Sequence, residues 1–117
     1  MGELFDEHRT PRPGELNIER VRTGARVELV LAGELDLVSA AKLEGELMAV
    51  EGDNAGELVI DLERVEFIDS TGLRVLLSAT RRSDASGHKL RVRHVRGQVR
   101  RLFEIAGVLD LFSVEAD

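Results

Sequence analysis

The chain has 117 residues, enough for one domain with its own core, and no cysteine, which removes disulfides, thiol chemistry and cysteine-rich metal sites. Its formal net charge of −6, from 22 acidic against 16 basic side chains, argues against a non-specific grip on nucleic acid, which needs clustered Lys and Arg facing phosphates. No apolar run approaches the roughly 18 residues of a membrane span, and the N-terminus lacks the basic-then-apolar order of a signal peptide, so a soluble, cytoplasmic protein is expected.

Residues 1–15 mix charges with Pro11, Pro13 and Gly14 and read as a poorly ordered lead-in, which leaves 16–117 as the folded domain. Two strands follow. "ELNIERVR" alternates Leu16, Ile18 and Val21 with polar residues, "RVELVLAG" puts Val27, Leu29 and Leu31 on one face, and "TGA" turns between them as an antiparallel hairpin. The period then lengthens. Ala40, Leu43, Leu47 and Val50 recur at helical spacing, with Ser39 in the N-cap position and "EGDNAG" closing the segment.

In "ELVIDLERVEF" the continuous run Leu58-Val59-Ile60 is typical of a strand buried on both faces, which calls for helices on both. Leu73, Leu76, Leu77 and Thr80 predict a second helix over "TGLRVLLSATRRSDASG", with Arg81 and Arg82 in its last turn and Gly87 beyond its end. "KLRVRHV" is a strand alternating Leu90, Val92 and His94. Val99, Leu102, Phe103 and Ala106 form the stripe of a third helix closed by Gly107, and "LFSV" gives a last short strand. The basic stretch from His88 to Arg101 reads as the solvated faces of a strand and a helix, with steering of an acidic partner as the alternative.

The order ββαβαβαβ implies a single small α/β domain: a mixed sheet with an antiparallel opening hairpin and parallel right-handed crossovers, packed with helices. In such sheets ligands and modified residues gather beyond the carboxyl ends of the strands. Two motifs fall there: Gly33-Glu34-Leu35-Asp36, and Asp69-Ser70-Thr71-Gly72 within "FIDSTGL". If their strands run the same way, the motifs are neighbours.

Ser70 and Thr71 have a plain reading as an N-cap. Three features point further: Asp69 precedes the hydroxyls, Gly72 permits close approach, and the helix start offers N–H groups and the positive end of a dipole, a setting that would hold a phosphoryl group on Ser70. The chain has no "GxxxxGKS", "HRD" or "DFG" to make that phosphate itself, so Ser70 would be another enzyme's substrate. A serine hydrolase lacks its G-x-S-x-G elbow here, and His8, His88 and His94 lie in the lead-in and around a strand. An aspartic protease needs D-[ST]-G without the intervening residue. A magnesium-binding receiver domain could draw on Asp61, Asp69, Glu34 and Asp36, but the adjacent acidic pair and the lysine it requires are not in place.

Four blocks in order, "LAGELDLVSAAKL", "LVIDLERVEFIDSTGLRVLL", "SGHKLRVRHV" and "VRRLFEIAGVLDLF", resemble a STAS domain of the anti-sigma factor antagonist family, from about Leu16 to Val114. The resemblance implies a four- or five-stranded mixed sheet and a non-enzymatic binding module without cofactor or metal. It maps the phospho-acceptor onto Ser70, and a partner-binding switch loop onto Glu34, Asp36, Asp69, Thr71, Gly72, Leu73 and Arg74. It further implies a serine-kinase anti-sigma factor with the histidine-kinase-like ATPase fold as partner, release of a sigma factor, and a PP2C-type phosphatase that restores the active form. A phosphorylation-independent scaffold, or a subunit of a lipid or anion transporter, is the alternative within the same family.

Overall fold

Period-two alternation builds the first two strands, β1 (Leu16–Thr23) and β2 (Arg26–Leu35), which pair antiparallel through a turn where Gly24 takes φ 63°. The computed structural model describes residues 15–53 and 55–116; all of the expected lead-in except Glu15 lies outside the described residues. Glu15 already belongs to the ladder, its carbonyl accepting from Glu34 N–H at 2.8 Å.

The remaining elements alternate as the periodicity predicts: α1 (Ala40–Gly52), β3 (Glu57–Ile68), α2 (Ser70–Ser86), β4 (Lys89–Arg93), α3 (Gly97–Ile105), a 3-10 turn at Leu109–Leu111, and β5 (Val114–Glu115). The sheet runs β1-β2-β3-β4-β5, antiparallel in its first pair and parallel thereafter. Each parallel connection from β2 to β4 carries a helix, as βαβ units require.

Register explains the core. Val27, Leu58 and Leu90 form one row across three strands, and Leu29, Ile60 and Val92 the next. These rows pack with Leu43, Leu47 and Val50 of α1, Leu73, Leu76 and Ala79 of α2, and Val99 and Phe103 of α3 in one buried cluster. Each large aliphatic or aromatic side chain so buried contributes about 1.5–3 kcal/mol, so the helices are held chiefly by their apolar faces. Phe103 also meets Phe112 with ring centroids 4.7 Å apart, which secures the C-terminal segment.

On the opposite face, helices are not what buries β3. Val59 is fully buried, yet its registered neighbours are Glu28 and Arg91, and it lies outside the apolar cluster. Ion pairs roof this face: Arg26 to Glu115 at 2.9 Å and to Glu57 at 3.6 Å, Arg91 to Glu57 at 3.1 Å, and Arg93 to Glu28 at 3.4 Å. The stems of these long side chains cover apolar surface while their part-buried heads pair with one another, which corrects the expectation of helices on both faces. The hydrogen bond and charge of Arg26 hold the Glu115 carboxyl below its ordinary value. Within the basic stretch, Arg91 and Arg93 are engaged in these pairs.

A second correction concerns α2. It continues to Ser86 before the left-handed cap at Gly87 (φ 80°), so Arg81 and Arg82 precede its last turn. Arg82 instead bridges to α1, with bonds of 2.9 Å to both carboxylate oxygens of Glu51 and a contact of 3.1 Å to Glu44. The Glu51 hydrogen bonds raise the pKa of its guanidinium.

Candidate functional site at the ends of β2 and β3

Because β2 and β3 are parallel, with Leu35 opposite Ile68, the two acidic motifs emerge side by side. They are also bonded to each other: Asp69 N–H donates to Leu35 O at 3.1 Å, and Leu37 N–H donates to Asp69 Oδ2 at 3.1 Å.

The division of labour at the start of α2 differs from the plain reading of the sequence. Asp69, not Ser70 or Thr71, is the N-cap. It adopts extended backbone angles, and its Oδ1 accepts from Thr71 N–H at 2.9 Å and Gly72 N–H at 3.0 Å. Ser70 is therefore the first helical residue, exposed, with its hydroxyl not engaged in capping. The same observation corrects the expectation of free amides awaiting a phosphate, since Asp69 already occupies two of them. A phosphoryl group on Ser70 would stand beside a carboxylate as well as a helix dipole.

Gly72 is explained by β2. A Cβ there would lie 2.5 Å from Leu35 O and 2.6 Å from Leu35 Cγ, so the helix can approach the strand end only without a side chain. Leu73 is buried in the core and unavailable for contact. Arg74 is exposed one turn after Ser70, on the same face of α2 by its i, i+4 spacing. Thr71 is half-buried, and the chain N-terminal to it is pinned from α3, where Gln98 Oε1 accepts from Ile68 N–H and Gln98 Nε2 donates to Ile68 O, both at 2.9 Å.

Across the gap, Asp36 organises the turn into α1. Its Oδ1 accepts from Val38 N–H at 3.0 Å and Ser39 N–H at 3.2 Å. Ser39 holds the N-cap position but makes no side-chain cap bond. Its hydroxyl donates to Glu34 O at 2.7 Å and accepts from Asp36 N–H at 3.0 Å, so the expected cap is a loop staple. Glu34 faces away from the core opposite Phe67, since Leu35 and Ile68 point inward.

Sequence reasoning passed over Leu37 and Val38, which are 74% and 76% exposed beside Asp69. The available signal was an apolar pair between a strand end and a helix start, where neither periodicity assigns it to the core. With half-exposed Phe67, they give the acidic loop an apolar rim of the kind that partners cover.

The family model described as "Mlab, STAS domain" matches residues 18–113. The chain belongs to the STAS domain family. Within it, the chain groups with the anti-sigma factor antagonists: the anti-sigma-B factor antagonist of Staphylococcus aureus is 32% identical over 99 residues, which span 85% of this chain and 92% of that protein. A crystal structure of an anti-sigma factor antagonist from Mycobacterium paratuberculosis superposes with TM-score 0.78 at 26% identity, covering 92% of this STAS domain and 91% of that chain. The Bacillus cell fate determinant SpoIIAA in its phosphorylated form shares the fold, with TM-score 0.66 at 20% identity over 88% of this chain and 93% of its own. Among the described residues, no helix of this STAS domain is long and apolar enough to cross a membrane.

Proposed function

We propose that this STAS domain is an anti-sigma factor antagonist, a cytoplasmic binding module rather than an enzyme, switched by phosphorylation of Ser70. Its unphosphorylated form binds an anti-sigma factor serine kinase of the histidine-kinase-like ATPase fold and so frees a sigma factor. Phosphorylation by that kinase ends the complex, and a PP2C-type phosphatase restores it. The names of the Staphylococcus and Mycobacterium relatives support the class. The observation that carries the switch is that Asp69 takes over capping and leaves the Ser70 hydroxyl exposed at the helix start.

The chemistry of the switch is electrostatic. A phosphate adds about −1.5 to −2 charges next to Asp69, across from Asp36, on a surface whose apolar rim of Leu37 and Val38 is suited to dry contact. Burying that charge unpaired costs about 2–5 kcal/mol at an interface, which lowers affinity by about tenfold for every 1.4 kcal/mol. In the free protein, the dipole of α2 and the guanidinium of Arg74 offset part of the cost. Arg74, Glu34 and Asp36 then act as the polar border of the partner surface, while Thr71, Gly72 and Leu73 keep the loop in shape.

Titration of Ser70→Ala and Ser70→Asp against the cognate kinase tests this reading. The alanine variant is expected to bind like the parent and to resist modification, and the aspartate variant to bind at least about tenfold more weakly. Equal affinities for the two would show that charge at this position is not the control.

A further inference from the structure

A second cluster of titratable side chains lies away from Ser70, where β4 ends against the middle of β3. His94 Nδ1 is 2.9 Å from Asp61 Oδ1 and 3.6 Å from Glu63 Oε1, and one donor atom from each of the three residues lies within 4.8 Å of the others. Their positions follow from the fold. Between Val30 and Ala32 of β2, β3 advances from Asp61 to Arg64, a bulge with one extra residue, and His94 leaves β4 with φ 59°, which turns the chain toward α3.

The geometry points to a divalent transition-metal site, with zinc as the type ion, built from His94, Asp61 and Glu63 and open at its remaining positions. Bond lengths of about 2.0–2.1 Å in a tetrahedron put ligand atoms about 3.3 Å apart, and the two measured separations from Nδ1 bracket that value. A mixed imidazole and carboxylate donor set suits zinc, whereas magnesium and calcium favour oxygen alone. Two carboxylates and a neutral imidazole carry a charge of −2, which a divalent ion cancels.

The supporting contacts fit. Asp61, nearly buried, has its Oδ1 oriented by Glu63 N–H at 3.0 Å, the kind of outer hydrogen bond that fixes a ligating carboxylate. Binding requires the imidazole proton on Nε2, so the metal replaces the direct contact between Nδ1 and Asp61. Two guanidinium groups oppose it at longer range. Arg96 is 3.8 Å from Glu63, and Arg93 stands opposite Asp61 but pairs with Glu28 and Glu115. Glu63, 55% exposed, is the ligand that swings in. A bound ion would tie the β3 bulge to the turn before α3, the helix whose Gln98 holds Ile68.

Chelator-treated protein titrated with zinc chloride by calorimetry, with cobalt absorption as a second readout, tests the site. A single saturable site and a zinc-dependent rise in melting temperature are expected. His94→Asn, chosen because Asn tolerates positive φ, and Glu63→Gln, at an exposed position where folding is safe, should each weaken binding at least about tenfold while His88→Gln leaves it unchanged. No saturable binding, or binding that survives both His94→Asn and Glu63→Gln because another group such as His8 holds the ion, overturns the assignment.

Discussion

Replacing Asp69 with alanine removes three acceptor contacts at once: the two cap bonds to Thr71 and Gly72 at 2.9 and 3.0 Å, and the tie to Leu37 at 3.1 Å. Loss of an N-cap costs about 1 kcal/mol and loss of a hydrogen bond to a charged group about 1.5–3 kcal/mol, so Asp69→Ala should destabilise the domain by roughly 2–4 kcal/mol. That is a large part of a total near 5–15 kcal/mol and lowers the melting temperature by roughly 8–16 °C. Asp69→Asn separates the contributions. An asparagine oxygen caps as well as aspartate, but its amide would face the Leu37 N–H, donor against donor, so a smaller loss of about 1–2 kcal/mol is expected. Urea unfolding gives both values, and hydrogen exchange at the Leu37 amide reports the tie itself, with faster exchange in both variants. A change under about 0.5 kcal/mol in Asp69→Ala, with Leu37 protection intact, would refute the claim that this carboxylate joins the two loops.

Gly72→Ala places a Cβ 2.5 Å from Leu35 O, and the forced retreat of α2 from β2 should cost about 1–3 kcal/mol in urea unfolding; an unchanged midpoint would mean the close approach is not obligatory. The Arg26–Glu115 pair predicts a pH effect whose sign follows from the lowered Glu115 pKa. Its contribution is complete above the ordinary value of 4.5 and disappears as pH falls through the lower folded value, so Glu115→Gln should flatten the acid side of the stability profile below about pH 4.5. An acid limb identical to the parent's would assign the loss to other carboxylates.

The element order was legible because each segment keeps a single period: two in "RVELVLAG", and near 3.6 from Ala40 to Val50 and from Leu73 to Thr80. The identity of the cap was not. Asp69, Ser70 and Thr71 are all good N-cap residues, and periodicity does not fix a helix start to one residue, so only the extended backbone of Asp69 decides. The roof over Val59 was hidden for a different reason. The Arg and Glu alternation in β2 and β4 is visible in the sequence, but which charge meets which depends on register across strands 30 to 90 residues apart. His94 read as part of its strand because a positive φ in a non-glycine residue leaves no compositional mark, and its partner Asp61 is 33 positions away.

For the candidate site, the sequence indicated that the two strand-end motifs could be neighbours, which they are, but not how their residues divide the local roles. "DSTG" drew attention to one loop, whereas the structure distributes the work. Asp69 caps and ties, Gly72 admits Leu35, Leu73 fills the core, Asp36 folds the facing turn, and Ser70 alone among the "DSTG" residues is exposed at the surface. Leu37 and Val38 escaped notice because an exposed apolar pair follows neither helical nor strand periodicity.

The switch at Ser70 is tested by incubating the protein with its cognate anti-sigma factor kinase and ATP, then combining mass spectrometry with a binding assay on the same samples. The expected result is a complex before ATP is added, a single phosphate on Ser70 afterwards, and loss of the complex as that phosphate accumulates. An unmodified Ser70 together with no complex at any stage would contradict it.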